Sequence, residues 1–253
     1  MSSKKQTVKN RLRAVWLILA WVAGAAQAEQ SWSLLTSVSY NNGDYIYDET
    51  IENYYFNLGV RYRAAKWTVS ATLPFLTQQD NVGLVSGGNT VTSSGVGDLY
   101  VFGERALWKS YRKRSIVSLF GQLKVPHGLS TVNFSSQVMD AGIGINFRRS
   151  LGNYSIFSDI GYLSLGDPEG LEYSDPLSYG LGMGRFFLRR LISTSVYYKS
   201  YTQILNGIMP PKQLSLGISA KLTNQTNLSL YTSVGLSESS PDYGISFGLT
   251  RGL

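Results

Sequence analysis

The amino-acid sequence predicts an all-β chain, a transmembrane antiparallel up-and-down β-barrel of about 12 strands behind an N-terminal signal peptide. Three observations predict it. A short apolar run follows a basic N-terminus, apolar and polar side chains alternate with period two in segment after segment, and the connections alternate short and long.

Lys4, Lys5, Lys9, Arg11 and Arg13 precede an apolar run from Ala14 to Ala26, which ends at Ala26-Gln27-Ala28. This is the order of basic region, apolar region and small-residue cleavage site in an export signal. A membrane-spanning helix needs roughly 17 to 25 apolar residues, and this run is shorter. Cleavage after Ala28 is expected, giving a signal over 1–28 and a barrel domain over 29–253. Removing 1–28 takes away five basic and no acidic side chains, so the formal charge falls from +7 to +2. The basic character belongs mainly to the leader and gives no case for a nucleic-acid partner. Zero cysteines exclude a disulfide framework and thiolate metal sites. No stretch after residue 28 is apolar for long enough to make a helical span, so a membrane crossing requires a closed barrel, which pairs every backbone polar group within the protein.

The strands follow in order. Trp32 to Tyr40, Tyr54 to Arg63 and Lys66 to Pro74 open the series, and Gly97 to Leu107 and Ser115 to Val125 continue it. In the next, Met139, Ala141, Ile143, Ile145 and Phe147 alternate with Asp140, Gly142, Gly144, Asn146 and Arg148. Asn153 to Leu163, Leu177 to Phe187 and Ile192 to Tyr201 come after it. From Gln213 to Leu222, leucine, isoleucine and alanine at even positions alternate with Gln213, Ser215, Gly217, Ser219 and Lys221. Thr226 to Leu236 repeats the pattern, and Tyr243 to Arg251 closes the series. One face of each strand suits lipid and the other suits water, over the roughly nine to eleven residues that a tilted strand needs.

The short connections are centred on Ala64-Ala65, Arg149 to Gly152, Leu188 to Leu191 and Thr223 to Gln225, with Trp108 to Arg114 somewhat longer and basic. The others, 41–53, 75–96, 126–137, 164–176, 202–211 and 237–242, are mostly longer and rich in Gly, Ser, Asn, Asp and Pro. Short turns mark the periplasmic side, so both termini are expected there, in the cell outer membrane. Trp32, Tyr40, Tyr54, Tyr62, Trp67, Tyr154, Tyr162, Tyr198 and Tyr243 fall near strand ends, as girdles at the headgroup level require. A soluble sandwich also alternates, but it has edge strands to protect, and here nearly every strand is long with a charge-free apolar face.

Assigning each polar face to the lumen places Arg61, Arg63, Lys66, Asp98, Glu104, Lys124, Asp140, Arg148, Asp159, Lys199 and Lys221 inside. Inward glycines and serines, among them Gly59, Gly142, Gly144, Gly180, Gly182 and Gly217, leave room for a passage. Arg61, Arg63, Phe120, Tyr197 and Tyr231 are large enough to close it. No catalytic, cofactor or metal site is expected. The sole histidine, His127, sits at a strand-loop junction without a matching nucleophile, and Asp167, Glu169, Glu172 and Asp175 match no spaced calcium motif.

The segment Ser94-Gly95-Val96-Gly97-Asp98-Leu99-Tyr100-Val101, with Gly103-Glu104-Arg105 after it, resembles the signature of the outer-membrane transporter family associated with the MetA pathway of phenol degradation. Gly121-Gln122-Leu123-Lys124-Val125-Pro126-His127-Gly128 is similar to that family's Lys-hydrophobic-Pro-Thr-Gly strand end, with His127 in place of Thr. Asp140-Ala141-Gly142-Ile143-Gly144 and Ile160-Gly161-Tyr162 keep the expected order, and the similarity covers about residues 90 to 165. The resemblance implies an outer-membrane barrel for passage of small, often aromatic or hydrophobic compounds. An Asp98-Lys124 pair across adjacent strands is expected near the outer mouth. Two functions stay open: a passive channel or transporter for small molecules, and a structural or surface-interaction barrel with a closed lumen. The expected partners are the lipid bilayer and lipopolysaccharide, the outer-membrane assembly machinery and a small-molecule solute.

Overall fold

The computed structural model describes residues 31–44, 50–80, 91–126, 137–168 and 172–253. The expected signal peptide, His127 and Glu169 lie outside them. The strands are β1 (Ser31–Gly43), β2 (Ile51–Arg63), β3 (Trp67–Asp80), β4 (Val91–Val96), β5 (Leu99–Ser110), β6 (Ser115–Val125) and β7 (Asp140–Leu151). They continue as β8 (Tyr154–Ser164), β9 (Leu177–Phe187), β10 (Ile192–Tyr201), β11 (Lys212–Lys221), β12 (Thr226–Gly235) and β13 (Tyr243–Gly252).

Apart from β4 and β5, which do not pair with each other, each strand pairs antiparallel with its sequence neighbours, and β1 closes the ring because Val38 lies opposite both Phe56 of β2 and Phe247 of β13. The strands β4 and β5 are two halves of one stave. Both pair with β3, β4 along Phe75 to Asp80 and β5 along Trp67 to Thr72. The break falls at Gly97-Asp98, where the Gly97 amide donates to the Pro74 carbonyl at 2.8 Å. A β-carbon on Gly97 would come 2.6 Å from Leu76 Cδ1 and 2.9 Å from Pro74 Cγ, so any larger residue would have to displace these side chains. The thirteen segments therefore make the twelve-stranded closed barrel that the alternation predicts. Closure pairs the long staves on both sides, and among the described residues β4 pairs on one side only, with β3.

Following paired residues around the wall, from Leu35 through Gly59, Thr72, Tyr100 and Lys124 to Asp140, climbs from the middle of β1 to the first residue of β7. That climb is the stagger a tilted closed barrel requires. It carries residues from different heights on each strand to one level of the lumen.

The apolar faces point outward and stay exposed: Val38 by 53%, Ile143 by 55%, Leu181 by 65% and Leu216 by 53%. Among the described residues the buried large apolar side chain is Phe120. A soluble sandwich would bury those faces, whereas a membrane barrel turns them to hydrocarbon. The girdle aromatics gather in clusters on the same outer face. Trp32 and Tyr62 lie 5.0 Å apart by ring centroid, and Tyr40 lies 4.9 Å from Tyr54 and 5.8 Å from Tyr243.

Several bounds differ from the sequence expectation. Strand β3 and its partner β4 carry Phe75 to Asp80 and Val91 to Val96 into what reads as loop, because above the lipid both faces of a strand are polar and the alternation fades. Strand β5 runs on to Ser110, so the basic connection is the tight turn Tyr111 to Arg114. The β9–β10 turn is a short 3-10 segment, Leu188 to Arg190. Its three residues all adopt positive φ, 46°, 54° and 73°.

Candidate functional site

The lumen is the functional space of this fold, and two interior volumes meet within it. The middle one, about 640 Å³, is lined by Phe102, Phe120, Phe157, Tyr197 and Tyr231 together with Ser, Asn and Gln side chains. The second, about 400 Å³, lies toward the end where β2 terminates, beside Arg61, Asn57, Asn227 and Thr250. Tyr231 and Ser246 line both, so the two adjoin at these residues.

The bulky and the small inward residues, which pull in opposite directions when read from sequence, are partners in space. Phe120 lies opposite Gly144 in the β6–β7 register, and a β-carbon on Gly144 would collide with Phe120 Cζ. Phe157 covers Gly182 in the same way across β8 and β9, and Tyr197 covers Gly180 across β9 and β10. Tyr231 lies over Gly217, where a β-carbon would sit 2.7 Å from Tyr231 Cε1. Each of these side chains lies against the wall in the hollow that glycine leaves. Phe102 and Phe120 stack at 6.0 Å, and Phe157 and Tyr197 at 5.7 Å. The result is an aromatic-walled tier.

Of the charged positions, Arg148, Asp159 and Lys199 line the middle volume and Arg61 the second. Asp159 and Lys199 line the middle volume, with Lys199 Nζ 3.5 Å from Asp159 Oδ2, and the Tyr197 hydroxyl donates to Asp159 Oδ1. Arg148 faces the same volume and lies opposite Phe157 in register. Lys124 and Asp140 are register partners and form an ion pair at 2.6 Å, and Asp140 also accepts from the Gly166 amide at 2.9 Å. Lys124, expected near the outer mouth beside Asp98, has Asp140 as its ion-pair partner at 2.6 Å. The climb of the register explains this: it sets Lys124 level with the first residue of β7. Asp98 is buried at the β4–β5 break. Glu104 lies opposite Thr68 and Phe120, Arg63 opposite Thr68, and Lys221 opposite Asn227, while Lys66 stands in the β2–β3 turn.

Sequence reading missed two of the five rings, Phe102 and Phe157, although their parity within Gly97 to Leu107 and Asn153 to Leu163 places them on the polar face. It also missed the mouth. The segment between β10 and β11 folds against the inward side chains Asn53, Tyr55 and Gln78, and with Ile204, Leu205, Ile208 and Met209 it bounds an apolar volume of about 460 Å³. The Ser174 amide holds the Ile204 carbonyl at 2.8 Å, and Ser239 Oγ donates to the Met209 carbonyl. Nothing in a loop's composition tells that it turns inward.

Comparison with solved structures identifies the architecture. An outer membrane channel from Pseudomonas putida F1 superposes with a TM-score of 0.72 at 13% identity, over 90% of this chain and 97% of that one. The NanC porin superposes at 0.59 with 11% identity, over 87% of this chain and 100% of its own. The KdgM porin in complex with disordered oligogalacturonate gives 0.55 at 8% identity, over 86% and 99%. The shared property is the closed barrel of outer-membrane proteins. No family model matches the chain, and no curated protein matches it in sequence.

Proposed function

We propose that this chain is a passive outer-membrane channel for small molecules, with its termini in the periplasm, and that its aromatic tier admits solutes with a flat apolar face. One observation carries the reading: Phe120, Phe157, Tyr197 and Tyr231 lie over glycines of neighbouring strands, so bulky rings line the lumen while about 640 Å³ stays free between them. Side chains serving only to plug a barrel would fill its axis. Serine, asparagine and glutamine between the rings provide hydrogen bonds for a polar substituent.

The family resemblance of residues 94–101 and 121–128 supports the same reading, as does the fold shared with channels and porins. The inward fold of 202–211 is the observation that would favour a closed structural barrel. Flux separates the two. In proteoliposomes holding the refolded mature chain, a small neutral aromatic is expected to exit faster than from empty vesicles, and more than a sugar of similar mass does. Identical flux with and without the protein, from a fully folded sample, would favour the closed barrel.

A further inference from the structure

The two rims of the barrel carry opposite charge. The rim where Ser31 and Gly252 lie has the five tight turns, and these carry Lys66, the run Arg112-Lys113-Arg114, and the pair Arg189-Arg190. Among the described residues, those turns hold no Asp or Glu. On the outer face of the adjoining strand ends, the Arg105 guanidinium stands 5.0 Å from the Trp67 ring, and Arg185 stands 5.2 Å from Tyr154 and 4.9 Å from Phe187. Exposed apolar groups lie beside these cations, with Trp108 exposed by 49%, Tyr111 by 89% and Leu188 by 66%.

The opposite rim reads the other way. Its tyrosines face carboxylates, with Tyr54 donating to Glu52 at 3.0 Å and Tyr162 to Asp175 at 2.8 Å. Asp44, Asp167, Glu172, Glu238 and Asp242 lie at the same end. Among the described residues its cations are Lys124, Lys199 and Lys212, the first two of them ion-paired.

We propose that the basic rim is a binding surface for anionic phospholipid headgroups, which collects phosphatidylglycerol-type lipid from the periplasmic leaflet around the barrel. This rests on the outer-membrane reading above for the side on which the rim lies. Guanidinium groups held at the headgroup level by aromatic rings match a phosphate diester, and clustered Lys and Arg beside an apolar belt attract anionic lipid. The opposite rim, dominated by carboxylates, offers no such match, so the recognition belongs to one leaflet.

The molecule carries its own probes. Trp32, Trp67 and Trp108 all stand at the basic rim, and the other two tryptophans, Trp16 and Trp21, leave with the expected signal. The test is tryptophan quenching in phosphatidylcholine vesicles containing a minor fraction of phosphatidylglycerol, with one or the other lipid brominated near the headgroup. Insertion is verified first by heat-modifiable mobility. The expected result is phosphatidylglycerol enrichment several-fold above its bulk fraction, reduced by raised salt. Neutralising Arg112, Lys113, Arg114, Arg189 and Arg190 to glutamine should remove most of it, while Lys212→Gln leaves it unchanged. Quenching in proportion to bulk composition, or enrichment that survives both salt and neutralisation, would overturn the proposal. The readout is independent of conductance, so a lipid-selective barrel that passes nothing would sink the channel reading alone.

Discussion

Phe120 of β6 and Gly144 of β7 are paired directly across the barrel wall, and the ring of Phe120 occupies the space that a β-carbon on Gly144 would need. Gly161 of β8 lies under the same ring, its β-carbon position 3.1 Å from Phe120 Cζ. A β-carbon on Gly144 would also meet the Ile160 carbonyl oxygen and Gly161 Cα, whereas one on Gly217 would meet side chains, Tyr231 Cε1 at 2.7 Å and Ser195 Oγ at 2.8 Å, so Gly217→Val should drive Tyr231 off the wall and into the passage. The expected outcome is a lower single-channel conductance with a stability loss of about 1–3 kcal/mol from overpacking. The double variant with Tyr231→Ala should recover conductance, which a simple folding defect would not.

Lys124 and Asp140 face each other at 2.6 Å with side chains 15% and 25% exposed. Removing one partner leaves a poorly solvated charge, so Lys124→Ala should destabilise the barrel by about 1–3 kcal/mol, less than a fully buried pair would. A double-mutant cycle with Asp140→Ala, read by urea unfolding from vesicles, should show a positive coupling energy.

Within the middle tier, Tyr197 donates to Asp159 while its ring stacks on Phe157 at 5.7 Å. Tyr197→Phe keeps the ring and removes the hydroxyl, and its cost should be about 1 kcal/mol or somewhat more, because the acceptor is charged. Asp159→Asn should shift the reversal potential toward anion selectivity, since Lys199 and Arg148 then face the cavity without the carboxylate.

The opposite charge of the two rims imposes a field along the pore axis. Current through an oriented barrel should rectify at low salt and approach a linear response as the salt rises toward molar, where the Debye length falls to roughly 3 Å. Rectification that persists unchanged at high salt would point to a moving loop instead.

Much of this was legible in the sequence because period two is a strong signal wherever one face meets lipid. The strands from Ser115 to Val125 and from Gln213 onward are found to within about two residues at either end, and the inward parity of Arg61, Asp159 and Lys199 follows from the alternation alone. Legibility stops where lipid stops. Thr77 to Gln79 and Thr92 to Ser94 are strand residues with polar side chains on both faces, and no periodicity distinguishes them from loop. Pairings across strands are equally hidden. The meeting of Lys124 with Asp140, and of Phe157 with Gly182, depends on the register between strands, which is a property of the closed ring and not of any one segment.

The aromatic-walled open lumen is tested most directly by single-channel recording of the refolded mature chain in planar bilayers, with a small aromatic alcohol titrated to one side. The account predicts discrete openings that the alcohol interrupts, with the interruptions much reduced in a Phe120→Ala, Tyr231→Ala double variant. A heat-modifiable, fully folded barrel that inserts and passes no current would contradict it.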